Sequence, residues 1–221
     1  MIVLGYDPGG GGKSGKRKSG VAILDASRSK ITTGQCESVR EALSWFEREK
    51  SDNEPMAVGI DTFLHWSTGP KGWRPVDDAL RRNYPRVRNS IQPSNSTAGS
   101  MAVQGMVLAI AAKNNWPNIR LNEVHPKVLF AEILDVSYPR DEEANAVDIR
   151  AKLLGRNGYS CERDMTCEDE FDAAICCIAT AKGLMGDWCN LMDEKIFKDV
   201  ERSELVFPVG HVDYFWPKAL D

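Results

Sequence analysis

MIVLGYDPGGGGKSGKRKSGVAIL, residues 1–24, decides how the rest of the chain is read. Ile2, Val3 and Leu4 form an apolar run of the kind that makes a buried strand. Asp7 stands where that strand ends. Residues 9–12 are all glycine, 13–19 are polar and basic, and 20–24 are a second apolar run of strand length. The pattern is strand, glycine-rich turn, strand. Asp7 has two readings. It can simply start a turn, because Asp-Pro and Gly favour turns, or it is a chemical group at a strand tip. DPGGGGKS also comes close to the phosphate-loop pattern G-x-x-x-x-G-K-[ST]. Two features oppose that match. Asp7 occupies the position of the first glycine, and after Ser14 the chain runs KRKSGVAIL, back into a strand. A phosphate loop feeds a helix whose N-terminus faces the phosphates. A hairpin is therefore expected.

Working outward, residues 31–37 make a third strand. In SVREALSWFEREK, Val39, Leu43 and Phe46 fall at helical spacing and Ser38 is placed to cap the N-terminus. MAVGI at 56–60 reads as a fourth strand, and Asp61 ends it. A fifth strand spans 119–124, with Glu123 near its end, just before His125 and Pro126. The same design thus occurs three times: an apolar strand with a carboxylate at its C-terminal tip. In open α/β sheets, ligands gather beyond the carboxyl ends of the strands. Helices are expected over 97–114, 126–133 and 141–154. The last helix begins EDEFDAAICCIATAKGL, with an apolar stripe at Ala174, Ile175, Ile178 and Ala179. Its acidic first turn suits the helix dipole. Asp169 and Asp172, three residues apart, share one face. Asp172 is flanked by apolar sequence, where a carboxylate is costly unless it is paired or holds a cation.

Residues 62–92 run from irregular to helical and back. HWSTGPKGWRP has the composition of a long surface loop, and PVDDALRR starts a helix with Pro75 in its first turn. Arg74, Arg81, Arg82, Arg86 and Arg88 cluster there, interleaved with Trp66, Trp73 and Tyr84. Arginines among aromatics suit phosphate contact and base stacking. The plainer reading is that the aromatics pack and the arginines pair with Asp77 and Asp78. The tail FPVGHVDYFWPKALD is aromatic-rich and is expected to pack on the domain.

A chain of 221 residues with 42% hydrophobic content suffices for one domain with elaborations. The expected division is a core of 1–185 with an inserted region at 62–96, then an extension at 186–221. No apolar run reaches membrane-spanning length. There is no basic n-region with an apolar stretch behind it, and the six cysteines include no C-x-x-C pair. A reduced, cytoplasmic protein is expected. A zinc site built from Cys161, Cys167 and His125 or His211 is conceivable, although the spacing matches no recognised pattern. The formal net charge is −4, which argues against nucleic-acid binding by bulk charge. The charge is unevenly spread: through Phe130 there are 18 Lys and Arg against 12 Asp and Glu, and thereafter 10 against 20. Such a split can set carboxylates beside a phosphate-attracting surface, or merely mark a solvated acidic helix face.

The order of GYDPG, GID and DEFDAAI resembles the ribonuclease H-like fold, and the last of these is similar to the acidic helix of RuvC-type resolvases. VGID, GWRPVDDALRR, EVHP and DEFDAA together resemble the DUF429 family of predicted ribonuclease H-like nucleases, through about residue 184. The long insertion at 9–19 departs from that fold's tight first hairpin. The resemblance implies an α/β fold, a ribonuclease H-like mixed sheet in which three antiparallel strands are followed by parallel ones, flanked by helices. It also implies a metal-dependent nuclease hydrolysing phosphodiester bonds of DNA or RNA through two Mg²⁺ or Mn²⁺ ions. Such ions take hard oxygen ligands and act as a pair about 3.5–4 Å apart. On this basis Asp7 would bridge the metals and Asp61 would be the second ligand. Asp172, ahead of Asp169, would be the helix ligand, with Glu123 a further candidate. Lys13, Arg74, Arg81 and Arg82 would contact phosphate. Two alternatives share the sheet core. One is an ATP-dependent phosphotransferase of the actin and sugar-kinase type, with which DPGGGGKSG is compatible, although such enzymes usually need two large domains. The other is a non-catalytic nucleic-acid-binding module, since fold does not dictate activity.

Overall fold

The computed structural model describes residues 1–9, 18–95, 99–165, 167–193 and 205–220. The chain runs β1 (Ile2–Asp7), β2 (Ser19–Asp25), β3 (Lys30–Cys36), α1 (Val39–Glu49), β4 (Ala57–Ile60), β5 (Trp66–Ser67) and α2 (Pro75–Asn83). After a 3₁₀ turn at Arg88–Ser90 come α3 (Gly99–Asn115), β6 (Arg120–Glu123), α4 (Pro126–Leu134), α5 (Ala146–Arg156), β7 (Ser160–Cys161) and α6 (Glu168–Leu184). The short strands β8 (Cys189–Asn190), β9 (Leu205–Val206) and β10 (Phe215–Trp216) follow.

The main sheet has strand order β6-β4-β1-β2-β3-β7. β1, β2 and β3 pair antiparallel in sequence, while β4 joins β1, and β6 joins β4, in parallel. This is the mixed α/β sheet, flanked by helices, that the sequence leads one to expect. β1 and β2, on either side of the glycine-rich stretch, pair antiparallel as expected, with Asp7 opposite Gly20, and Ser19–Asp25 is a strand where a phosphate loop would lead into a helix. Ser38 caps α1 through its hydroxyl, which accepts from the Glu41 amide at 3.2 Å. The expected helix at 141–154 begins five residues later, at Ala146. Asp141 instead accepts from the guanidinium of Arg150, a buried side chain on α5. Residues 141–145 form turns, with the Glu143 amide donating to the Arg140 carbonyl and the Ala146 amide to that of Glu143.

Side chains alternate across the sheet. Ile2, Leu4 and Tyr6 of β1 enter a core layer with Ala42 and Phe46 of α1 and with Leu108 and Ala112 of α3. Val3, Ala22 and Leu24 enter the opposite layer, which is filled by α4 and α6. Helix α6 lies directly on β1, β2 and β4, and glycines make room for it. A Cβ placed on Gly5 would stand 2.0 Å from the Ala173 carbonyl oxygen, and one on Gly59 would stand 2.4 Å from that of Cys176. Gly5 and Gly59 are partners in the β1–β4 register. Tail segments complete the packing: β10 pairs with β8, and Asp213 bridges to Asn122 of β6. No helix among the described residues is long and apolar enough to cross a membrane.

This close approach makes a graded prediction. Gly5→Ala should lose about 3 kcal/mol in urea unfolding, the upper end of the usual overpacking cost. Gly155→Ala, on the exposed side of α5 with nothing within 4 Å of the added Cβ, should gain about 0.5–1 kcal/mol. Equal effects at the two sites would contradict the packing role.

Candidate metal centre

Gly5-Tyr6-Asp7 and Gly59-Ile60-Asp61 repeat one motif on neighbouring parallel strands, with Gly5 opposite Gly59 and Tyr6 opposite Ile60. Residues two apart on a strand share a face. Each aspartate therefore follows its glycine onto the side covered by α6. The helix brings the third carboxylate: Ala173 sits over Gly5, and Asp172 precedes it. The outcome is a cluster in which Asp7, Asp61 and Asp172 each offer an oxygen within 4.8 Å of the others. Asp7 and Asp172 are buried, while Asp61 keeps partial access to solvent.

The turn-forming reading of Asp7 is true as well. Its Oδ1 accepts from the Gly9 amide at 2.9 Å, and Gly9 takes the left-handed backbone (φ +73°) that closes the turn. One carboxylate thus fixes the hairpin entry and joins the cluster.

The charges are under tension. Burial raises the Asp7 carboxyl well above its ordinary range, and Asp61, Asp172 and Asp169 raise it further. Burial and the Asp61 charge do the same to Asp172, against the pull of Lys127 and a hydrogen bond from the Tyr138 hydroxyl. Burial pushes Asp61 up to about 7; Lys127 pulls it down, and Glu123 and Asp169 push it up. Hard oxygen donors held together against mutual repulsion form a set that could hold a metal ion.

The acidic start of α6 divides its carboxylates among different tasks. Glu170 pairs with Arg163 and accepts from Thr33. Glu168 accepts from Lys127 at 3.3 Å. Asp169, on the face of Asp172 but one turn earlier, stands outside the close triad. Burial and neighbouring carboxylates raise it to about 6, and its charge bears on Asp7 and Asp61.

Two expectations need correction. Glu123 lies at the tip of β6 as read, but it is not a member of the acidic cluster. It is buried, with Oε1 2.6 Å from Arg74 and Oε2 3.0 Å from His65, and Oε2 also accepts from the Leu64 amide. Burial alone would raise it, but Arg74 and His65 hold it well below the usual carboxylate range. Arg74, read as a phosphate contact, is fully buried, and its guanidinium serves Asp77 and Glu123. Arg81 donates to the carbonyls of Arg88 and Ile91 and lies over Trp73 at 4.7 Å, tying α2 to the turn that follows. Arg82 is exposed on α2. Lys13 lies outside the described residues. His125 bonds the Tyr214 hydroxyl at 2.8 Å, and the conceivable zinc set does not form among the described residues, where the acidic triad is the metal-competent group.

Sequence reasoning missed Lys127 and Tyr138. Lys127 is the cation that bears on Asp61, Asp169 and Asp172, and its Nζ lies 5.2 Å from the Tyr138 ring centre. Its signal was its place immediately after His125-Pro126, in the first turn of a helix that starts beyond a strand tip. Tyr138 lies between helices, with no periodicity to mark it.

Fold and site together define an α/β protein with a buried acidic triad at the C-terminal edge of a mixed sheet. Its family follows from the sequence match. The family model described as "Protein of unknown function (DUF429)" matches residues 5–195, and the chain belongs to that family. No curated protein and no solved structure matches it.

The raised carboxyls give a signed prediction. Native Asp61 holds its proton up to about pH 7, whereas the unfolded group releases it near 3.8. The cost of ionising Asp61 in place, from burial first and like charge second, is therefore absent below about pH 4, builds up between about 4 and 7 and is constant above. In EDTA, Asp61→Asn should leave Tm unchanged near pH 4 and raise it by on the order of 5 °C at pH 8. The histidines are common to both proteins and cancel in the difference. A difference that does not grow between pH 4 and 8 would contradict the raised Asp61 carboxyl. Glu123→Gln should instead cost about 3 kcal/mol, since it removes one of the two carboxylates that balance the buried Arg74 guanidinium.

Proposed function

We propose that the protein is a divalent-metal-dependent nuclease that hydrolyses phosphodiester bonds in nucleic acid. The observation that carries this reading is the triad of Asp7, Asp61 and Asp172 converging from two parallel strand tips and one helix. Asp7, Asp61 and Asp172 would hold Mg²⁺ or Mn²⁺, with the charge of Asp169 bearing on Asp7 and Asp61. When bound, the metal activates a water and neutralises charge on the phosphate as the leaving oxygen departs.

The chain's own groups supply the rest. Asp7 is fixed by its bond from Gly9 and by the paired strand behind it. Tyr138 donates to one oxygen of Asp172, which restrains the carboxylate's orientation and leaves its second oxygen free of that bond. Lys127 is half-exposed beside the triad and takes the phosphate-contact role first given to Arg74. A lysine acts there as a point charge on a flexible stem. Glu123 and Arg74 are positioning residues. Their buried pair holds the segment after Asp61 through the bond from the Leu64 amide.

The test is cleavage of single-stranded and duplex DNA, RNA, a hybrid and a four-way junction, with Mn²⁺ and with Mg²⁺. At least one substrate should be cut. Asp7→Asn, purified in parallel, should lose at least about 10³-fold in rate while keeping its fold, the scale of removing a group essential to charge stabilisation. No metal-dependent cutting of any substrate, or unchanged cutting by Asp7→Asn, overturns the proposal.

A further inference from the structure

A cavity of about 260 Å³ opens beside the triad, and Asp61 is one of its walls. Phe63, Gln92, Met101, His125 and Lys127 supply much of the rest. These residues come from four separate places: the segment after β4, the stretch after the 3₁₀ turn, the start of α3, and the first turn of α4. The segment after β4 and the first turn of α4 lead directly from the strand tips at the edge that carries the acidic cluster. A group seated here therefore sits next to whatever the triad holds.

The lining is suited to a flat, partly polar ring. Phe63 is held rigidly, with the Arg74 guanidinium 4.7 Å from its ring centre and His125 packed edge-on at 6.1 Å. The Met101 thioether adapts to aromatic partners. Gln92, at an exposed position, brings an amide that can both donate and accept. Thr62 also lines the space, and its hydroxyl is buried with no hydrogen-bond partner. Buried hydroxyls ordinarily have one. The volume lies below the range of about 300–1,000 Å³ that is usual for drug-sized ligands, which limits the occupant to one small ring system. Lys127 stands at the border between cavity and triad, where a phosphate joined to that ring would fall.

We infer that this cavity is a nucleobase subsite, which seats one base of the strand whose phosphate lies at Asp7, Asp61 and Asp172. The inference rests on the hydrolase reading for the phosphate, but its own claim, recognition of a base, is separable. A stacked base contributes about 1–3 kcal/mol, which corresponds to a gain of roughly five- to 150-fold.

Two arms test it on the full chain. In the first, the four deoxynucleoside 5′-monophosphates and 2-deoxyribose 5-phosphate are titrated calorimetrically in Mg²⁺. At least one nucleotide should bind ten-fold or more tighter than the baseless sugar phosphate. Met101→Trp, which puts an indole into the cavity, should bring that ratio close to one. Gln92→Trp blocks from the exposed rim and serves where Met101→Trp disturbs α3. In the second arm, the p-nitrophenyl ester of thymidine 5′-phosphate is compared with methyl p-nitrophenyl phosphate, which has the same leaving group and no base. Their ratio of kcat/KM should be ten or more in the native protein and fall towards one in the blocked variants. Base-dependent binding without hydrolysis of either ester would leave the subsite standing and remove the hydrolase. Nucleotides and sugar phosphate binding alike, or ratios that the blocking variants do not change, would overturn the subsite.

Discussion

Repulsion among three carboxylates governs this molecule. Asp7, Asp61 and Asp172 are held within 4.8 Å of one another, with two of them out of water. Nothing in their own chemistry favours that arrangement, since burial and like charge both oppose ionisation. The rest of the fold has to impose it. Parallel pairing of β1 and β4 sets Asp7 and Asp61 side by side, and the glycines beneath α6 let the helix backbone come down far enough to add Asp172. Tyr138 and Lys127 ease the strain without removing it. A protein that keeps such a cluster gives up stability at neutral pH in its metal-free state, and a bound cation returns that stability by mass action.

A second charged network, made of Glu123, Arg74, Asp77 and His65, lies close by and behaves in the opposite way. Every charge in it has a partner. Arg74 reaches two carboxylates and a backbone carbonyl, and Glu123 also accepts a backbone amide. Such a network gives little net stability over apolar packing, but breaking it is costly. Its use here is to fix the irregular segment that follows Asp61. The two networks divide the acidic strand tips by function: Asp7 and Asp61 are left without full neutralisation, and Glu123 is neutralised completely.

The hairpin, the order of strands and the late helix were legible in the sequence because each is a local pattern: apolar runs, a capping serine, a run of acids before an apolar stripe. Asp7, Asp61 and Asp172 were legible because carboxylates at the ends of apolar segments are energetically conspicuous. What could not be read was which charges find partners. Arg74 and Glu123 are 49 positions apart in the sequence, and no periodicity links them. The plainer reading of the arginine-aromatic stretch, arginine paired with Asp77, is what Arg74 shows, whereas its second partner, Glu123, left no mark in the sequence. Lys127 and Tyr138 escaped for the same reason, since their roles exist only once α4 and the segment after it are folded against α6. The repeated Gly-x-Asp was present in the sequence from the start, but its meaning depends on the strand register that sets Gly5 opposite Gly59.

The most direct test of the central claim is anomalous diffraction from crystals of the protein soaked in millimolar Mn²⁺, recorded near the manganese edge. The account predicts an anomalous peak among the carboxylates of Asp7, Asp61 and Asp172, with oxygen distances of about 2.0–2.3 Å, and no peak there in Asp172→Asn crystals. Well-ordered carboxylates with no manganese between them, or a peak that persists unchanged in the variant, would contradict it.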